Sequence, residues 1–67
     1  MTTPTIGSRL REARKSLGLS QQALADAVGI SQPEVADYER GRRQPGTDRI
    51  LPLARALGVT TDWLLGA

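Results

Sequence analysis

Leu19-Ser-Gln-Gln-Ala-Leu-Ala-Asp-Ala-Val-Gly-Ile-Ser-Gln-Pro-Glu-Val-Ala-Asp-Tyr-Glu-Arg-Gly41 reads as two short helices joined by a glycine turn. Ser20 and Ser31 each precede an apolar-periodic run, where a hydroxyl can accept from the free N–H groups of a first helical turn. Leu19 with Leu24, and Ile30 with Val35, flank these caps as hydrophobic staples. Glu34 stands at the capping-box position relative to Ser31, and Pro33 falls in the first turn, where a missing N–H costs little. Leu24, Ala25 and Val28 make the inner face of the first of the two helices, and Val35 and Tyr38 that of the second. Gly29 supplies a positive φ between them at little cost. Such a unit lets a small protein lay one helix in the major groove of DNA.

The flanking segments read as scaffold for that unit. Met1 to Thr5 is a polar lead, expected to be flexible. Ile6, Leu10, Ala13 and Leu17 step along one face of a first helix, and Gly18 ends it. Arg42 to Gly46 is a basic loop. A fourth helix over about Thr47 to Leu57 buries Ile50, Leu53, Ala54 and Leu57; Pro52 should bend it or push its start towards Leu51. A fifth begins near Thr60 or Thr61, with Val59 and Leu64 as a staple and Trp63 inward. The expected architecture is all-α, a compact five-helix domain over residues 6–66, with the helix-turn-helix unit at 20–40.

Bulk composition narrows the function classes. Sixty-seven residues make one small domain, which buries only about 60% of its unfolded surface. There is no cysteine for a disulfide or thiolate site, and no histidine to serve as a general base. Nothing pairs a nucleophile with a base, clusters metal ligands or makes a phosphate-binding glycine loop. No enzyme activity, cofactor or metal is expected. No apolar run approaches the roughly 20 residues of a membrane span, and Met1 to Gly7 lacks a signal-peptide pattern. A cytoplasmic protein with no membrane partner is the reading.

An ordinary helical hairpin would explain the apolar positions. It would not explain why Gln32, Pro33, Ala36 and Asp37, on the outer face of the third helix, are mostly short. That suits a helix entering a groove about 12 Å wide. The net charge is only +2, but its placement is suggestive. Arg40, Arg42 and Arg43 cluster directly after the proposed reading helix, where backbone contacts would fix its register. Arg9, Arg11 and Lys15 are placed on the outer side of the first helix, and Arg49 and Arg55 on the fourth.

With these residues in view, the chain resembles the Cro and lambdoid phage repressor helix-turn-helix family, often called XRE. The likeness rests on Leu19-Ser-Gln-Gln-Ala-Leu-Ala, Val28-Gly-Ile-Ser-Gln, Tyr38-Glu-Arg-Gly and the ending Ala56-Leu-Gly-Val-Thr-Thr-Asp-Trp-Leu-Leu-Gly66. The resemblance implies a lambda-repressor-like domain that binds a palindromic double-stranded operator as a homodimer and regulates transcription, as a repressor. It implies a phosphate contact for Gln21, with Gln22 beside it, and a base contact for Gln32, which can bond adenine N6 and N7. Arg40, Arg42 and Arg43 would join Gln21 and Gln22 at the DNA backbone. Arg14 and Glu39 occupy positions of a buried ion pair. A two-fold contact would fall around the fourth and fifth helices, with Leu65 as its candidate.

Two positions depart from the family pattern. Pro33 replaces a base-reading side chain and can at most pack on a thymine methyl. Asp37 occupies another base-reading position; it can accept from cytosine N4 or be neutralised by Arg40. Glu34 is expected to fold back onto its cap. Such acidic residues favour an alternative, a helix-turn-helix interaction module (an antitoxin or co-regulator) acting through a partner protein. A dimerisation domain beyond Ala67 is a further possibility that the resemblance raises.

Overall fold

Hydroxyl caps divide the chain into its helices. The computed structural model describes residues 4–66 and contains α1 (Ile6–Ser16), α2 (Gln21–Val28), α3 (Gln32–Arg40), α4 (Thr47–Leu57) and α5 (Thr61–Leu65). The hydroxyls of Ser20, Ser31 and Thr60 accept from the N–H groups of Ala23, Glu34 and Trp63 at 3.0, 3.2 and 3.0 Å. No strand occurs among the described residues, and no helix there is long and apolar enough to cross a membrane.

The core is one cluster with Leu10, Leu24, Val35, Tyr38, Leu53, Leu57 and Leu64 inside it. Ile6, Val28, Ile30, Val59 and Trp63 close its edges. α1 packs on α3, α4 and α5, while α2 packs on α3 and α4. α3 therefore packs against both α1 and α2. The α2–α3 turn passes through Gly29 at φ 81°, which an L side chain adopts only with strain. Gly7 has a different constraint. A Cβ there would stand 2.2 Å from the Tyr38 carbonyl oxygen, so α1 crosses α3 at backbone distance.

Several expectations need correction. Thr5 is no flexible lead residue: its hydroxyl accepts from Ser8 N–H at 3.1 Å, and Ser8 Oγ accepts from Thr5 N–H at 2.8 Å, a reciprocal cap. Met1, Thr2 and Thr3, the rest of that expected lead, lie outside the described residues. Leu17 is exposed, because α1 stops at Ser16 and the chain has turned before Leu17 can join the stripe. Pro52 does not delay α4, which starts at Thr47. The cost is one N–H that would have reached the Asp48 carbonyl, and Asp48 sits in the exposed first turn, where water can replace it. Arg9 leaves the outer face of α1, its guanidinium lying 5.6 Å from the Trp63 ring centroid.

Candidate nucleic-acid interface

One polar chain orients the start of α3. Arg14 Nε donates to Glu39 Oε2 at 2.7 Å and Nη2 to Oε1 at 3.0 Å, a bidentate pair. Arg14 Nη1 also donates to the Leu19 carbonyl at 2.8 Å, tying α1 to the entry of α2. Both side chains are buried, at 10% and 3% exposure. Hydrogen bonding to Glu39 raises the Arg14 pKa above its ordinary value against the opposing effect of burial. Gln21 Nε2 donates to the same Glu39 Oε1 at 3.1 Å, and Gln21 Oε1 accepts from Gln32 Nε2 at 2.7 Å. Among the described residues the Gln32 amide oxygen and second N–H have no other partner, and they are the pair an adenine edge requires.

Exposure sorts the other expected readers. Pro33 is exposed and Asp37 half-buried beside it on α3. Ala36 is buried at 8% exposure, so, contrary to the base-reading role expected of it, its methyl has almost no surface to offer a base. The expected Asp37–Arg40 neutralisation is absent: no ion pair among the described residues involves either.

Glu34 also departs from expectation. Its backbone N–H is capped by Ser31, but its carboxylate turns away from the cap. It accepts from the Tyr38 hydroxyl and from Arg49 Nε at 2.9 Å, with Arg43 Nη1 at 3.8 Å. Hydrogen bonds from Tyr38 and then Arg49 hold the carboxyl below its ordinary range. Burial, and next the bond to Glu34, push the Tyr38 phenol up. Arg43 remains exposed with its guanidinium 5.8 Å from the Tyr38 ring centroid.

The expected backbone residues surround this face. Arg40, Arg42 and Arg43 are exposed. Arg11, Arg14, Gln21, Glu39 and Arg40 line a polar cleft of about 270 Å³. It opens beside the first turn of α2, whose N–H groups at Gln21 and Gln22 have no intrahelical partner and favour an anion. Gln22 points its amide to Asp26 Oδ1 at 2.8 Å, so it offers chiefly its backbone N–H. Leu65 is 52% exposed and shares an apolar groove of about 420 Å³ with Leu51, which is 44% exposed. Sequence reasoning missed Leu51, although an apolar residue off the Ile50-Leu53-Leu57 stripe was the available signal.

Known proteins resemble this chain in sequence and in fold. A helix-turn-helix family model matches residues 10–64. The chain is 40% identical over 62 residues to the HTH-type transcriptional regulator ImmR of Bacillus subtilis, covering 92% of this chain and 49% of ImmR. It is 37% identical over 65 residues to repressor protein C2 of Salmonella phage P22, covering 97% of this chain and 30% of that repressor. A crystal structure of the P22 c2 repressor in complex with a synthetic operator superposes with a TM-score of 0.90 at 36% identity, covering 94% of this chain and 96% of that one. The chain spans about half the length of ImmR and under a third of repressor protein C2. It belongs to the helix-turn-helix family, in its Cro and lambdoid repressor branch.

Proposed function

We propose that this chain is the sequence-specific DNA-binding domain of a transcriptional repressor, with α3 in the major groove of a double-stranded operator. The observation that carries this is the Arg14–Glu39–Gln21–Gln32 chain, which presents one amide in fixed orientation at the leading end of α3. Gln32 reads adenine, Pro33 packs on a thymine methyl and Asp37 accepts from cytosine N4. Gln21, Gln22, Arg40, Arg42 and Arg43 hold the phosphates. Two copies meet through Leu51 and Leu65 on a palindromic site. Such a dimer would read half-sites about one helical turn apart. Such a regulator works in the cytoplasm, at the nucleoid.

Titration of a duplex selected from a random pool tests this, followed by fluorescence anisotropy at two salt concentrations. Gln32→Ala should lose about 1–3 kcal/mol on the selected duplex and nothing on a scrambled one. Arg43→Ala should weaken both alike and flatten the salt slope by about one unit per monomer. Equal losses for Gln32→Ala on the two duplexes contradict the reading role.

A second reading, a helix-turn-helix interaction module acting through a partner protein, is favoured by the Asp37 carboxylate on the reading face. Weak duplex binding without a steep salt dependence would decide for it.

A further inference from the structure

A single carboxylate joins α3, the helix that carries the reading face, to α4 and to the loop between them. Glu34 lies in the first turn of α3, Arg49 in the first turn of α4, and Arg43 in the loop between them. Helices α3 and α4 do not form one of the main helix contacts of the fold. Side chains therefore bridge this side of the molecule, and Glu34 is their hub: Tyr38, Arg49 and Arg43 all converge on it. The carboxylate is 12% exposed, against 39% for Arg49 and 58% for Arg43.

We propose that Glu34 is a positioning residue for DNA binding: held by Arg49 and Tyr38, it fixes the Arg43 guanidinium against the Tyr38 ring, facing the phosphate backbone. The inference rests on the DNA-binding reading above. An unrestrained arginine loses rotamer freedom when it grips a phosphate. Here much of that ordering precedes binding. The guanidinium has five N–H donors, and a contact to Glu34 at 3.8 Å leaves most of them for a phosphate.

Simple charge counting predicts the opposite sign. An acid beside DNA repels phosphate, so its removal should tighten binding and steepen the salt dependence. Positioning predicts that removal weakens binding, because Arg43 is released. Arg49 already balances the Glu34 charge at 2.9 Å, which leaves little repulsion to relieve.

The test compares wild-type chain, Glu34→Gln, Arg43→Ala and the double variant on the selected duplex. Glu34→Gln is expected to bind about fivefold more weakly, a loss in the range of a few surface ion contacts. In the Arg43→Ala background the same substitution should change affinity less than about twofold. Tyr38→Phe alters no charge and should weaken binding in the same direction. Tighter binding by Glu34→Gln, or an undiminished loss in the Arg43→Ala background, overturns the proposal. NMR of the free chain gives a second readout that needs no DNA. The Tyr38 ring should displace the Arg43 Cδ proton shifts, and Glu34→Gln should abolish that displacement. A displacement that survives overturns the positioning role even if the wild-type chain binds no duplex. Failure of wild-type binding with the displacement abolished overturns the DNA reading and leaves the Glu34–Arg43 link standing.

Discussion

Two polar clusters flank α3, and they differ in what surrounds them. The Arg14–Glu39 cluster is buried where α1, α2 and α3 meet. The Glu34 cluster lies towards α4 and the basic loop, with Arg43 largely in water and Arg49 half-buried. Burial decides what each can contribute. A buried pair costs desolvation to form, and breaking it strands a charge. An exposed pair adds little to stability because water competes for both partners. The first cluster is therefore a condition of the fold that incidentally orients Gln32. The second should leave the fold nearly untouched and, on the proposal above, act on where Arg43 stands.

The largest expected effect falls on the buried side. Glu39→Ala leaves Arg14 unpaired and should cost about 3–5 kcal/mol, a large part of the stability of so small a domain. Thermal melts measure it, and a melting point within a few degrees of wild type would break the comparison. Gly7→Ala probes the same side through the backbone. A Cβ that would lie 2.2 Å from the Tyr38 carbonyl must push α1 from α3, costing about 1–3 kcal/mol or more as overpacking does. Urea melts check this, and a neutral result would mean that α1 crosses α3 with more room than described.

The Glu34 cluster should show a smaller effect, through pH. Hydrogen bonds from Tyr38 and Arg49 lower the Glu34 pKa from its ordinary value of 4.5. A lowered carboxylate pKa adds stability above the unfolded value and loses it as pH falls through the folded one. The stability gap between wild type and Glu34→Gln should thus hold from neutrality to about pH 5 and shrink below that. Melts at successive pH values read it, and a gap that widens on acidification would reverse the sign.

Local features were legible in the sequence. Ser20, Ser31 and Gly29 set the helix-turn-helix boundaries, because caps and a positive-φ turn depend on neighbouring residues alone. The Arg14–Glu39 positions came from family resemblance, since nothing local pairs residues so far apart. Glu34 misled because its spacing from Ser31 satisfies a local motif, while Arg49 offers a stronger partner across the loop. Gly7 gave no signal: a helical glycine reads as low propensity until the crossing helix is placed. Ala36 looked like part of a short outer face, and only the packing shows it covered. The local pattern fixes elements; the long-range contacts decide which polar side chains remain available to a ligand.

Selection from a random duplex pool with the purified chain, at two salt concentrations, tests the central claim most directly. The account predicts an enriched inverted repeat with half-sites about one helical turn apart, bound more weakly at the higher salt. A folded sample that enriches no sequence at either salt would contradict it.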